Sequence, residues 1–233
     1  MSQTVSIVGV RKMTAIIFDM DGVLIDSQPL HYEIDMRVLK KCGVEADLAA
    51  VVKYTGIGNP ERWRNYKTDF ALSESPENLI ALAEETMREI FFATELKAID
   101  GVSVLLDGIK AMGAKCGVAS SSSHELIDLV LSQIGLKNKF DFVVSGEDVC
   151  EGKPAPDIYL RAAEKAGFAP EICVAVEDAP AGILAAKNAG LTCIAFHNPN
   201  TYGQDFTHCD YKIFKFDEAF PIIKTLFFRA MIG

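Results

Sequence analysis

The sequence lacks several things, and each absence closes off a class of protein. It has no C-x-x-C pair, and its six cysteines (Cys42, Cys116, Cys150, Cys173, Cys193, Cys209) do not combine with its four histidines at zinc-ligand spacing. A structural zinc centre is therefore not expected. Three of the cysteines lie in apolar, strand-like runs and read as small buried hydrophobes in a reducing compartment. Positive charge is scarce. Lys and Arg total 23 against 32 Asp and Glu, a net charge of −9. That balance argues against a nucleic-acid partner. It also means that an anionic ligand must be drawn in locally, by a lysine, backbone N–H groups or a metal. No apolar run reaches the ~18 residues of a membrane span, so no membrane partner is expected. Residues 5–10 are apolar but precede Arg11 and Lys12. A secretory leader places its positive charge first and has a longer apolar stretch. Cytoplasmic location is the expectation. Internal repeats and low-complexity tracts are also missing.

What is present is ample apolar material, 49% of 233 residues, enough for one large domain or for a domain plus a smaller one. The chain is organised around Ala15-Ile16-Ile17-Phe18-Asp19-Met20-Asp21-Gly22. The apolar run reads as a strand buried on both faces. It ends at two carboxylates spaced by one residue. Burying a carboxylate costs several kcal/mol unless something compensates it, and a cation is the obvious compensator. An ordinary acidic turn is the plainer alternative.

Residues 27–96 show helical spacing and no strand pattern, with helices expected over 31–42, 48–54, 61–70 and 78–92 and a Gly/Pro loop over 55–60. Ser75-Pro76-Glu77 fits a helix start. After Gly101 the pattern alternates. Helices are expected at 102–112, 124–134, 156–166 and 180–189, and strands at 115–119, 140–144, 172–176 and 191–196. An apolar packing helix is expected from about 216 to 231. Strands alternating with helices across short turns indicate βαβ units and a parallel sheet. The expected architecture is α/β, a Rossmann-like parallel-sheet core of residues 14–26 plus 97–233, with an inserted α-helical cap domain at 27–96. Asp26-Ser27 and Ile99-Asp100-Gly101 are candidate hinges.

Polar groups recur at the strand ends: Asp19 and Asp21, then Ser120 in a serine run, then Gly152-Lys153-Pro154 after the third strand, then Glu177-Asp178. In a parallel sheet these ends share one edge. A carboxylate can attack phosphorus, and a second can move the proton of the leaving oxygen. A hydroxyl at a helix start and a lysine suit phosphate oxygens. Asp178 with Asp19 would suit Mg2+. Singly, each has a plainer reading: a helix cap for the serines, a solvated lysine, a helix N-terminal acid pair.

In these motifs the chain resembles the haloacid dehalogenase superfamily. The matching segments are 18–27, 118–122, Gly152-Lys153-Pro154-Ala155-Pro156-Asp157-Ile158-Tyr159, and Val176-Glu177-Asp178-Ala179-Pro180-Ala181-Gly182. The resemblance implies a core with a helical cap, Asp19 as nucleophile and Asp21 as general acid and base. It implies Ser120, with Ser121 beside it, and Lys153 on the phosphate. Mg2+ would sit on Asp19, the Asp21 carbonyl and Asp178, with Glu177 close by. Within the superfamily the chain is most similar to the β-phosphoglucomutase and sugar-phosphate phosphatase group. His31 matches a histidine used there near the hinge; a lone histidine is otherwise structural. The mutases carry a cap-loop arginine after the position of Gly56, where this chain has Asn59, with Arg62 and Arg64 nearby. Thr55, Gly56, Asn59 and Trp63 are candidate cap contacts, with an aromatic of the cap core as the plainer reading of Trp63. The expectation is a Mg2+-dependent phosphatase of a small phosphorylated metabolite, as a monomer or weak homodimer. The alternatives are a phosphomutase on the same scaffold and a binding protein that keeps the fold.

Overall fold

The computed structural model describes residues 14–55, 57 and 59–232. The apolar run at 5–10 and the candidate contact Gly56 lie outside the described residues. Strand β1 (Ala15–Phe18) is buried along its whole length. It sits in the middle of a six-stranded sheet with β2 (Lys115–Ser120), β3 (Phe142–Ser145), β4 (Cys173–Glu177), β5 (Thr192–Phe196) and β6 (Tyr211–Ile213). All five pairings are parallel, in the order β3-β2-β1-β4-β5-β6. This is the Rossmann-like α/β architecture expected. The strand order reverses between β1 and β4, the place where such sheets open a ligand crevice.

Strand side chains alternate between two unlike faces. Ile16, Phe18, Val118, Val176 and Ile194 join a core with α5 (Val102–Ala111), α6 (His124–Gln133) and α9 (Phe216–Ile232). Ala15, Ile17, Ala175 and Ala195 face α7 (Asp157–Ala166) and α8 (Pro180–Asn188), whose buried positions are largely alanine. Small side chains on both partners let those two helices lie close to the sheet.

Four helices stand between β1 and α5: α1 (Gln28–Lys41), α2 (Leu48–Val52), α3 (Asn59–Asp69) and α4 (Pro76–Ala93). They pack on one another around Trp63, Tyr66, Leu79 and Phe91, and Trp63 is fully buried. Ser75 caps α4, accepting a hydrogen bond from the Asn78 N–H, as its Ser-Pro-Glu signature indicates. The chain enters and leaves this helical block side by side. Ile25 forms an antiparallel bridge with Ala98, and the Ile99 N–H donates to the Leu24 carbonyl at 2.9 Å.

Three details differ from the sequence reading. Strand β6 was not expected; it is three residues long, at the sheet edge, with only Ile213 buried. Helix α3 begins at Asn59, inside the stretch expected to be loop. Asn59 Oδ1 accepts from Arg62 Nη2 (2.9 Å) and Trp63 Nε1 (3.0 Å), and Pro60 needs no N–H partner in a first turn. Strand β3 is shifted one to two residues along, to end at Ser145.

All six cysteines are free thiols, and only Cys150 is exposed. Burial pushes the Cys116 thiol up to about 12 and the Cys173 thiol up to about 11, and a thiol that stays protonated is inert. A chromogenic disulfide reagent at pH 8 should therefore find one fast thiol in the native protein. Cys150→Ser should abolish that fast phase, and a fast phase persisting in that variant would contradict the shielding of the other five, of which Cys116, Cys173 and Cys193 are buried and Cys42 and Cys209 half-buried.

Candidate active site

The centre of the site is set by strand register. Phe18 pairs with Val176 across β1 and β4, so the residues just beyond, Asp19 and Glu177-Asp178, leave the sheet next to each other. The Asp19 N–H continues the ladder, donating to the Val176 carbonyl at 2.9 Å. Three carboxylates, from Asp19, Glu177 and Asp178, have oxygens within 4.8 Å of one another, all buried. Lys153 reaches into this cluster. Its Nζ donates to Asp19 Oδ1 (2.7 Å), Glu177 Oε1 (2.6 Å) and the Ala119 carbonyl (3.2 Å). Tyr159, fully buried on α7, donates its hydroxyl to the same Glu177 oxygen at 2.6 Å.

Two glycines make this approach possible. A Cβ on Gly22 would stand 2.1 Å from Asp178 Oδ2, and its φ of +75° is one that other residues resist. A Cβ on Gly182 would stand 2.0 Å from Glu177 Oε1.

Asp21 lies on the turn after Asp19, with a different set of partners. Ser27 Oγ donates to its Oδ1 at 2.7 Å, and Ser122 Oγ to its Oδ2 at 3.3 Å. His31 Nε2 is 3.3 Å from Oδ1. Burial alone would push the Asp21 carboxyl up. His31 and the two hydroxyls overcome that and hold it below the usual aspartate range. Asp19 goes the other way. Burial lifts it to about 8; Lys153 opposes the rise, while Glu177 and Asp21 add to it. Burial likewise pushes Asp178 well up, with Asp19 and Glu177 adding to the rise. Two carboxylates one residue apart thus differ in proton affinity because of what surrounds them.

Of the residues singled out from sequence, Asp19, Lys153, Glu177 and Asp178 form one cluster, and Asp21 and His31 a second beside it. Ser120 is buried at the end of β2, where its Oγ accepts from the Ser122 N–H at 3.2 Å. Ser121 is exposed, and it is Ser122 whose hydroxyl reaches Asp21. Thr55 and Asn59 hydrogen bond inside the helical block. Thr55 Oγ1 donates to the Val52 carbonyl and meets the Tyr32 hydroxyl at 2.9 Å, while Asn59 Oδ1 accepts from the side chains of Arg62 and Trp63 one turn on in α3. Arg62 lies 3.6 Å from the buried Asp35 and on Asn59. Sequence reading passed over Ser27, Ser122, Tyr159 and Thr201, whose hydroxyl donates to Asp178 Oδ2 at 3.0 Å. Ser27, Ser122 and Tyr159 lie within the family-like segments without having been given a role there; Thr201 lies outside them and carries no spacing signal. A cavity lined by Ile16, Val174, Ile223 and Phe227 touches none of these groups.

The acidic cluster fits a divalent cation. Three buried carboxylates face one ammonium, and burial, with Glu177 and Asp21 adding to it, holds the Asp19 carboxyl above the usual range despite Lys153. Every donor is a hard oxygen, which suits the Mg2+ class and not zinc.

The family described as haloacid dehalogenase-like hydrolase matches residues 16–196. Among relatives, "Putative phosphatase YhcW" of Bacillus subtilis is 32% identical over 200 residues, covering 85% of this chain and 90% of that protein. "Fructose-1-phosphate phosphatase YqaB" of Escherichia coli is 31% identical, covering 79% of this chain and 96% of that protein. Among solved structures, CbbY from Rhodobacter sphaeroides in complex with phosphate superposes with a TM-score of 0.76 at 26% identity, over 88% of this chain and 95% of that one.

A carboxyl that binds its proton more tightly folded than unfolded favours the folded state at low pH, and the advantage is lost as pH rises through the gap. For Asp19 that gap runs from the ordinary aspartate value near 4 to about 8. Asp21 has the opposite sign, and its contribution is complete above the ordinary range. In chelator, the melting temperature should fall between pH 5 and pH 8, and Mg2+ should remove most of the fall. A melting temperature that climbs across that interval without cation would refute the charge imbalance.

Proposed function

The chain belongs to the haloacid dehalogenase-like hydrolases, and on that footing we propose that it is a Mg2+-dependent phosphatase of small phosphorylated metabolites, sugar phosphates foremost, working through an aspartyl-phosphate. The observation that carries this reading is the position of Lys153 Nζ, 2.7 Å from Asp19 and 2.6 Å from Glu177, beside Asp178 at the point where the strand order reverses. The phosphatase relatives add to it.

In this reading Asp19 attacks phosphorus through a carboxylate oxygen. The phosphorus–oxygen bond to the alcohol breaks, and Asp21 gives that oxygen a proton. Asp21 then takes a proton from water as the water attacks the phosphoryl group, which frees Asp19 and releases inorganic phosphate. Lys153 binds phosphate oxygens with Ser120 and the N–H groups of the turn after β2, while Glu177 and Tyr159 fix the lysine's direction. Asp19, the Asp21 carbonyl and Asp178 would hold Mg2+, which when bound offsets the repulsion between an anionic nucleophile and an anionic ester. As held here Asp21 is ionised, set for the water step. A phosphate dianion beside it raises its proton affinity and so favours the donating step. Residues 27–96 are read as a cap over the crevice, with the paired crossings at 25 and 98–99 as its hinge. The enzyme is read as a cytoplasmic one.

Hydrolysis is favoured over phosphate return to a sugar by the surroundings of Arg62. A mutase grips a second phosphate from the cap, and Arg62 is engaged instead with Asp35 and Asn59.

Phosphate release from a panel of phosphate esters should require Mg2+ and stop in chelator. Asp19→Asn should bring turnover below detection, and retained turnover would overturn the nucleophile. Asp21→Asn should lower kcat by roughly 10²–10⁴-fold, the worth of a positioned acid–base group. Conversion of β-glucose 1-phosphate to glucose 6-phosphate with a bisphosphate primer and no free phosphate would displace hydrolysis.

A further inference from the structure

The segment after β5, residues 197–204, returns across the carboxyl edge of the sheet and grips the site at several points. Asn198 is buried. Its Nδ2 donates to the Gly22 carbonyl (3.2 Å) and to Asp26 Oδ1 (3.3 Å), and its Oδ1 accepts from the Asn200 N–H (2.9 Å). Asn200 Nδ2 donates to the other Asp26 oxygen. Thr201 Oγ1 donates to Asp178 Oδ2 at 3.0 Å. Gln204 Nε2 donates to the Asp178 backbone carbonyl at 2.9 Å. None of these side chains takes part in the phosphoryl transfer itself.

We propose that Thr201 is a positioning residue for Asp178, and that residues 198–204 act as a strap registering Asp178 against the turn that carries Asp21. The proposal rests on the reading of Asp19 and Asp178 as Mg2+ ligands. A carboxylate at the end of a strand is free to rotate about its last torsion, and a cation site tolerates little rotation. Asp178 Oδ2 is fixed on one side by the Thr201 hydroxyl and crowded on the other by Gly22, which has no room for a Cβ. Among the described residues Oδ1 accepts no hydrogen bond, which leaves it available to a cation. The same segment, through Asn198, holds the Gly22 carbonyl and hence the turn bearing the Asp21 carbonyl. Ligands from two separate strands are thus brought to one spacing by a third segment. Outer hydrogen-bond partners of this kind are worth 10–100-fold in metal affinity.

The test is a titration of Mg2+ alone, read by the shift in melting temperature without substrate. Thr201→Val keeps the shape and removes the donor; it should need roughly 10–100-fold more Mg2+ for half the shift. Thr201→Ser keeps the donor and should titrate like the unmodified protein. Thr201→Ala carries the same expectation as the valine change and serves if that variant does not fold. Superimposable titrations for the donor-less and unmodified proteins would overturn the proposal. If the unmodified protein itself shows no Mg2+-dependent shift, the assignment of Asp19 and Asp178 as cation ligands falls instead, so the two failures are told apart.

Discussion

One buried ammonium holds the centre of this protein together. Lys153 Nζ lies between Asp19 and Glu177, with a third carboxylate, Asp178, within 4.8 Å of both. Such a grouping is not a source of net stability, because desolvation offsets most of the attraction. Removing one partner from it, however, leaves a bare buried charge and costs about 3–5 kcal/mol. The carboxylates are together because parallel register leaves them no alternative: Phe18 lies beside Val176, so the residues next in line on each strand meet at the edge. The sheet creates an electrostatic problem, and the lysine solves one part of it. The remainder, two negative charges in a closed space, is the basis for a divalent cation there.

The same crowding explains where side chains are forbidden. Gly22 and Gly182 each back onto a carboxylate that a single added carbon would strike. Ordinarily glycine near a helix start or in a turn is a matter of backbone freedom. Here at Gly182, which has a helical backbone, it is a matter of volume: the helix lies so close to the buried Glu177 carboxylate that a Cβ would overlap it. At Gly22 both reasons act together, a left-handed φ and a carboxylate oxygen in the space a side chain would fill.

The elements of the sheet were legible wherever burial on both faces wrote a continuous apolar run, as in Ala15-Ile16-Ile17-Phe18 and Cys173-Val174-Ala175-Val176. Tyr211-Lys212-Ile213 was not legible, because an edge strand of three residues with one buried side chain has no period to read. The cluster of Asp19, Lys153, Glu177 and Asp178 could be anticipated because strand ends converge by topology. The serine that reaches Asp21 could not. Alternation along β2 stops at Ser120, and in the turn beyond it nothing in Ser121-Ser122-Ser123 tells which hydroxyl points inward; the structure turns Ser121 out and Ser122 in. Asn198 and Thr201 were missed for a related reason. They come from an irregular segment that no strand or helix period governs, and their partners lie 176 and 23 residues away in the chain.

Asp21 is a titrating group held from two sides. Ser122 comes from the sheet, while Ser27 and His31 come from the start of the helical block. Its low proton affinity is the sum of those contacts set against burial. The turn bearing it closes on Ile25, through the Gly22 N–H to the Ile25 carbonyl at 2.8 Å, and Ile25 is the residue bridged to Ala98 where the chain leaves the block. The proton affinity of Asp21 is therefore a function of how the block meets the sheet. On the proposed reading of residues 27–96 as a cap, a displacement of the block would take Ser27 and His31 from Asp21 and leave Ser122, removing two of the three partners that lower its proton affinity. In the reaction proposed above, Asp21 gives a proton in one step and takes one in the next, and on that reading its contacts tie both steps to where the helical block meets the sheet.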